Sequence, residues 1–464
     1  MMHTSLKNSL QLFVQKGFHV YFYVGIFLLI STFFARENVG RYLIVLISFV
    51  MWIFLSQKEA NWRMLTLLFV TFLFPFNITI GFPSLSDPYV NGSFSNYLVP
   101  TLHLLDVFII LFLLVQLRDW TFVTEFVKKN KWIIGIFLLY FLIHIISHFN
   151  LLSIINLSRI YLYIFTFALG VKTVKDIVKG RYFPIVLLLT VIMQGVLGII
   201  QFSKGFDMNL GFLGESELLS GVIGSSFISL SQGVFLRAYG TFPHPNVLAG
   251  FFLFALFVSL YLLLVSKKER RLIPLSIAVI SSIFIIFTFA RLSIFLTVLI
   301  WLVFFMYKAW ELRKANFSIL PLFFERSLNL FTSADTSIQD RVSLLKASFD
   351  MIKRDPLGIG SSQFVANLKD YSLYTSSGIT LLQPVHNIFT LVLVEHGFIG
   401  GLGLIVLLGA LFFGKLFSTK GIYRFVTIGA GILFVSIGMF DHYLITLPQG
   451  LVFTSLFVSL LQKD

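Results

Sequence analysis

The chain has 464 residues, of which 57% are hydrophobic and only 12% charged, and its formal net charge is +14. A soluble globular domain carries about 25% charged residues, so this composition, with a mean hydropathy of +0.90, excludes that class and points to a polytopic membrane protein. Cysteine is absent, which excludes disulfides, thiolate catalysis and cysteine metal ligands.

Apolar runs close to the ~20 residues that cross a bilayer recur from end to end. They predict an all-α polytopic membrane protein of about 14 (12–14) transmembrane helices, forming one transmembrane domain over 1–464. In chain order the predicted spans are 18–35, 42–55, 64–81, 98–117, 132–149, 154–171, 183–202, 244–265, 272–289, 292–307, 315–331, 386–413, 425–440 and 444–461. The first follows Lys7 and Lys16 and meets ARENVGR without a small-residue cleavage site, so it reads as a retained span. The eleventh, around NFSILPLFFERSLNLF, is short and holds Pro321, Glu325 and Arg326; without it the positive-inside pattern fails in the C-terminal third. With both termini inside, the inside loops together with Lys7, Lys16 and Lys463 hold 23 of the 35 Lys and Arg. The positive charge is then a topology signal, and nucleic acid is not needed as a partner. These loops are short and no GxxxxGK[ST] occurs, which argues against ATP-driven transport by this chain alone.

Two long connections are predicted on the outer side, 203–243 and the larger 332–385. From Ser337 in the second, Val342, Leu345, Phe349 and Ile352 recur at three- and four-residue steps. That spacing predicts an amphipathic helix ended by Pro356, lying along the outer membrane surface with Arg341, Lys346 and Arg354 free for polar partners. Gly358 and Gly360 in DPLGIG read as a turn.

Polar residues gather at the outer lip. Arg159 lies in the first turns of the sixth span, His244 and Asn246 open the eighth, Arg291 the tenth, and His386 and Asn387 the twelfth. A helix N-terminus already carries unpaired N–H groups and a partial positive charge. Arginine there is favourable when an anion sits among these ends, and Arg237 and Arg341 complete such a cradle. Plainer readings stand beside this one. Asn246 and Asn387 can simply cap helices next to Pro245 and Pro384, Arg291 can snorkel to the interface, and His386 can be an interfacial histidine. Arg159 inside a span is costly and reads as functional. Glu395, nine residues beyond His386, falls about 180° round the helix, so Asp441 in DHYL is the better partner for that ring. His144 and His148 share a helical face and, with His103 and Asp106, form a weak metal constellation. Without HExxH, interhelical hydrogen bonding is the better reading and no metal site is assigned.

The run R-x-x-GTF-x-HPN-x-LAG, then FARLSIF, RDPLGIGSSQF and VHNIFTLVLVEHGFIGG, resembles the O-antigen ligase and polymerase superfamily of bacterial surface-polysaccharide assembly. The resemblance is strongest over Arg237 to Gly401, which puts the catalytic region at about 230–405; TLHLLDVFIILFLL matches the family's early helices only loosely. It implies an inverting, metal-independent glycosyltransferase with no cofactor. The enzyme would move a glycan from undecaprenyl pyrophosphate to an acceptor sugar on the outer face of the cytoplasmic membrane, in lipopolysaccharide or cell-envelope assembly. Arg237 and Arg291 would correspond to the family's essential arginines, and His386 to its loop histidine, acting as base or hydrogen-bond donor. Arg159, His244, Asn246, Arg341 and Asn387 would bind pyrophosphate or glycan, with Glu395 and Asp441 in support. The implied partners are the lipid-linked donor, a lipid- or glycan-linked acceptor, the bilayer and a chain-length regulator. Fourteen spans and a sizeable outer loop lean towards polymerase over ligase. A non-catalytic flippase for lipid-linked oligosaccharide is the alternative, but it needs a polar path through a midplane that here is mostly apolar. A polyprenyl-phosphate glycosyltransferase with an acidic first outer loop fits less well, because RENVGR offers Glu37 alone.

Overall fold

A computed structural model describes residues 62–218, 225–230, 233–311, 336–371, 373 and 380–461. The predicted spans 18–35, 42–55 and 315–331 lie outside these residues, as do parts of both long connections.

Helix α1 (Trp62–Leu73) stops just before Pro75, which has no N–H to continue it. A short irregular stretch follows, with strands β1 (Thr79–Gly81), β2 (Tyr89–Val90), β3 (Ser93–Phe94) and β4 (Thr101–His103). β1 pairs antiparallel with β4, and β2 with β3. The spans expected at 64–81 and 98–117 are therefore shorter as helices, because Pro75, Pro83, Pro88 and Pro100 break the intervening backbone and a small ladder satisfies it instead. Helix α2 (Leu104–Leu117) begins on a reciprocal cap, where the Asp106 carboxylate accepts the His103 N–H at 3.0 Å.

Helix α3 (Trp120–Ser147) bends at Asn130 and takes in the stretch read as an inside loop. Helix α4 (Leu151–Leu169) is capped by Asn150, whose side chain accepts the Leu152 N–H at 2.9 Å. There follow α5 (Val171–Val178), α6 (Tyr182–Lys204), the hairpin β5 (Phe227–Leu230) with β6 (Gly233–Leu236), α7 (Pro245–Val265), α8 (Leu272–Thr288) and α9 (Arg291–Glu311). Helix α10 (Thr336–Arg354) occupies the larger connection, within a residue or two of its predicted bounds. Helices α11 (Ile388–Ser418), α12 (Gly421–Phe440) and α13 (Pro448–Leu461) complete the bundle, with a one-turn helix at Tyr443–Thr446 between the last two.

Among the described residues, α3, α4, α6, α7, α9, α11 and α12 are long and apolar enough to cross a membrane, and α1, α2 and α8 are shorter apolar helices. The protein is an all-α polytopic membrane protein; the fourteen predicted spans include segments outside the described residues. Helix α7 is apolar on every side and accordingly sits in the core, with Leu248, Phe252, Ala255 and Leu256 fully buried.

A second, smaller core lies under the large connection. There Leu344, Ala347 and Met351 of α10 pack with Phe364, Val365, Leu381, Val385 and Leu391. This differs from the expected apolar face, since Val342 and Phe349 remain 44% and 53% exposed. Apolar residues occupy two sides of α10: Leu345 and Ile352 of the expected face pack against this core, while docking onto the bundle buried most deeply the adjacent side of Leu344, Ala347 and Met351.

The same connection repairs a break in α11. At Gly397 the backbone leaves the helix (φ 70, ψ 178), which strips the carbonyls of Val394 and Glu395 of helical partners. The turn in DPLGIG replaces them. Ile359 N–H donates to Val394 O at 3.1 Å, Gly360 N–H to Glu395 O at 3.0 Å, and Phe398 N–H to Pro356 O at 2.8 Å. Non-helical backbone in a membrane protein persists where protein groups pair it in this way. Glycine is required on both sides: a Cβ on Gly397 would lie 2.2 Å from the Leu357 carbonyl carbon, and one on Gly358 2.5 Å from the Gly397 nitrogen. Histidines clasp the joint. His144 Nε2 accepts the Ser361 N–H at 3.0 Å, His148 Nε2 lies 2.9 Å from Gly358 O, and Tyr140 Oη lies 2.6 Å from His396 Nδ1. Hydrogen bonding between elements is thus what His144 and His148 do, while His103 and Asp106 are engaged at the start of α2.

Candidate functional site

The stretch RAYGTFPHPN crosses the end of the bundle where α7, α9 and α11 begin and α12 ends. Two glutamines of α6 pin it. Gln201 Oε1 accepts the N–H groups of Tyr239 and Gly240 at 3.1 and 2.8 Å, and its Nε2 donates to Gly240 O at 2.9 Å. Gln194 Oε1 accepts the Thr241 N–H at 2.9 Å, and the Thr241 hydroxyl donates to Pro75 O at 2.7 Å. Buried amides that satisfy a loop's backbone hold it in one conformation, because each lost bond would leave a buried polar group unpaired.

Arg237 is fixed by this arrangement. Its Nε donates to Thr288 O at 2.7 Å, Nη1 to Ser226 Oγ at 3.0 Å and Nη2 to Asn246 Oδ1 at 2.9 Å. Asn246 passes the link on, its Nδ2 donating to Asp441 Oδ2 at 3.1 Å. The other Asp441 oxygen accepts the His442 N–H at 2.8 Å. Gly250, one helical turn beyond Asn246, lets this corner close: a Cβ there would sit 2.0 Å from the Tyr443 hydroxyl. Asn246 therefore bridges a cation and a carboxylate, while the helix is capped by His244, whose Nδ1 accepts the Asn246 N–H at 3.2 Å. Asn387 caps α11, accepting the Thr390 N–H at 2.9 Å.

The imidazoles of His386 and His442 meet edge to face with centroids 5.2 Å apart. His386 Nδ1 is buried and finds no hydrogen-bond partner among the described residues, and neither does Arg341 Nε. Burial pushes the His386 imidazole down to about 4, against the pull of the Asp441 carboxylate, with His442 and Arg341 pushing the same way as burial. His244 falls to about 3, chiefly through burial and then the Arg237 charge. For Asp441 burial acts upward, but His442, His386, His244 and the Asn246 amide outweigh it and hold the carboxyl below its usual range. Burial also lowers the Arg237 guanidinium to about 10; Tyr239 and Asp441 oppose this, while Arg341 and Arg291 add like-charge repulsion. At neutral pH the cluster thus presents neutral imidazoles, an ionised carboxylate and three cations held close together.

The structure brings Arg237, Arg291, Arg341, His244, Asn246, His386 and Asp441 into one cluster. It does not bring Arg159 there. The Arg159 Nε lies 3.1 Å from both Asp106 oxygens, Nη1 donates to Asn156 Oδ1 at 2.8 Å and Nη2 donates to Thr101 O. Tyr163 adds its hydroxyl to the same carboxylate at 2.8 Å. Arg159 and Glu395 instead line a neighbouring pocket with Tyr97 and Thr446. Asp441 lies close enough to His386 to act on its charge, but its oxygens are taken by Asn246 and the backbone of His442 and Tyr443, and His386 Nδ1 does not reach them.

His442 and Tyr97 were not singled out from sequence. His442 had a signal, being the polar neighbour of Asp441 at the end of an apolar run. Tyr97 had none, since it reaches the site only through the irregular β1–β4 stretch, where its ring lies 5.7 Å from that of His442.

Taken together, the site can hold a polyvalent anion between guanidinium groups and offers a neutral imidazole beside it to receive a proton. The family model Wzy_C, described as O-Antigen ligase, matches residues 246–405. That segment includes Asn246, Arg291, Arg341, His386 and Glu395. No curated protein matches the chain. The matched segment is the one whose motifs carried the sequence resemblance, and over it the chain is similar to the O-antigen ligase family, whose members are membrane glycosyltransferases of ligase and polymerase type.

Proposed function

We propose that the chain is an inverting, metal-independent glycosyltransferase that moves a glycan from undecaprenyl pyrophosphate to an acceptor sugar at the outer face of the cytoplasmic membrane. The observation that carries this reading is the gathering of Arg291 and Arg341 around Arg237, with Arg341 also close to the neutral, partly unpartnered imidazole of His386. A pyrophosphate between the guanidinium groups relieves their mutual repulsion and gains charge-assisted hydrogen bonds.

In the reaction the acceptor oxygen forms a bond to the anomeric carbon as the bond from that carbon to the phosphate oxygen breaks. The bonding pair leaves with the polyprenyl pyrophosphate, and the hydroxyl proton passes to the His386 imidazole. A single displacement inverts the anomeric centre. The arginines stabilise charge that grows on the leaving group, the kind of preorganised electrostatic contribution that dominates many active sites. Asp441, tethered by Asn246, stabilises the imidazolium through space. Ligase and polymerase share this chemistry and differ in acceptor, and the extent of the 332–385 connection favours polymerase.

The test uses purified protein in nanodiscs with a fluorescent polyprenyl-pyrophosphate oligosaccharide and EDTA. A ladder of longer products with the lipid-linked repeat as sole acceptor identifies a polymerase; products formed only with a lipid A–core acceptor identify a ligase. Arg291→Ala and His386→Ala are each expected to slow transfer by ~10²-fold or more. Movement of labelled lipid across the bilayer with no glycosidic bond formed overturns the proposal in favour of a flippase.

A further inference from the structure

We propose that the pocket floored by Glu395 and Arg159 binds the acceptor sugar, which extends the glycosyltransferase reading to a substrate subsite and rests on it. The pocket encloses about 480 Å³ counting its open mouth, and Tyr97, Asn156, Ser362 and Thr446 contribute to its walls. It adjoins the catalytic cluster through two contacts: the Tyr97 ring stands edge-on to that of His442, and Thr446 Oγ1 lies 2.8 Å from His442 Nδ1. The same hydroxyl donates to His442 O at 3.1 Å, so it accepts from Nδ1–H and leaves His442 Nε2 as a bare acceptor.

Charge separates this pocket from the arginine side. None of Arg237, Arg291 and Arg341 lines it, and the Arg159 charge is consumed by Asp106. The polar group left in the pocket is the Glu395 carboxyl, 7% exposed, which accepts the backbone N–H of Phe364 at a long 3.5 Å and that of Ser362. A carboxyl group has up to about four acceptor sites, so two backbone donors leave room for others. A pyrophosphate would find none of those three guanidinium groups there. Sugar hydroxyls are the complementary ligand, since each supplies an O–H to the carboxylate, and the half-open Tyr97 ring offers an apolar face to the C–H side of a pyranose. Geometry agrees with chemistry. A single displacement needs the acceptor hydroxyl beside the base, and this pocket adjoins His442, whose ring meets that of His386.

Two measurements on the full chain in nanodiscs test the assignment. In the first, acceptor and donor are titrated separately for wild type, Glu395→Gln and Tyr97→Ala. The acceptor KM is expected to rise about tenfold or more in both variants, as loss of a hydrogen bond to a charged group implies, with the donor KM and thermal stability unchanged. A rise in donor KM with acceptor KM unmoved overturns the assignment. In the second, saturation-transfer NMR follows the repeat oligosaccharide freed from its lipid, without donor. Binding to wild type that is lost in Glu395→Gln supports a sugar pocket even if wild type forms no glycosidic bond, in which case the transferase reading alone fails. Undiminished binding to both variants overturns the pocket. Tyr97→Ala keeps the test decisive if Glu395→Gln misfolds, because Tyr97 lies in a single 3-10 turn of the β1–β4 stretch, outside the long apolar helices.

Discussion

Replacing Gly397 with alanine probes the joint between α11 and the large connection. Gly397 holds φ 70 and ψ 178, and its missing Cβ makes room for the Leu357 carbonyl, 2.2 Å from where that carbon would be. Alanine in that region of backbone space costs on the order of 1–3 kcal/mol. The overlap also forces the turn at 356–360 away from the helix. That movement breaks up to three backbone hydrogen bonds of 2.8–3.1 Å, each worth about 1 kcal/mol net. The local opening free energy should fall by roughly 3–5 kcal/mol, so hydrogen exchange at the Ile359 and Gly360 amides should accelerate by at least ~10²-fold. Exchange mass spectrometry on the peptide containing these residues reads this directly. Gly358→Ala attacks the same contact from the other side, so the two substitutions together should cost clearly less than their sum. Unchanged protection in Gly397→Ala, or full additivity, would refute the account of the joint.

Three further outcomes follow from the same contacts. Asp106→Ala should destabilise the protein by about 3–5 kcal/mol by stranding the Arg159 charge in a site where that side chain is 8% exposed; combining Asp106→Leu with Arg159→Met should recover much of the loss in a thermal unfolding assay. Asn246→Ala should lower kcat by ~10- to 100-fold with thermal stability little changed, because it cuts the link from Arg237 to Asp441 without opening a large cavity; loss of folded protein would show that the bridge is structural. The pH profile follows from the lowered His386 imidazole. A base works in its neutral form, and a value pushed down to about 4 keeps it neutral through the whole neutral range. kcat/KM should be flat from pH 8 to below pH 6 and fall only as the medium approaches that value, since this ratio reports the free enzyme. An acid limb near the ordinary histidine value would mean that the ring is not desolvated as described.

Much of the architecture is legible in the sequence because it depends on local properties. Composition sets the solvent, and the length of each apolar run sets a span; the predicted 183–202, 244–265 and 272–289 fall within a few residues of α6, α7 and α8. Caps are local too, as Asn387 at the start of α11 shows. The same holds for the motifs, which name Arg237, Arg291 and His386 before any contact is known. Tertiary structure alone decides what each polar group meets. Arg159 reads as a free cation in its own helix, yet the fold sets Asp106, 53 residues earlier, against its guanidinium. VEHGFIGG reads as continuous helix, because the turn that repairs its break lies some forty residues upstream. The buried face of α10 and the meeting of His442 with His386 belong to the same class. Hydropathy and capping are summed along the chain, whereas an ion pair or a hydrogen bond forms between groups brought together across it, and only folding settles which charge is neutralised and which is left to bind a substrate.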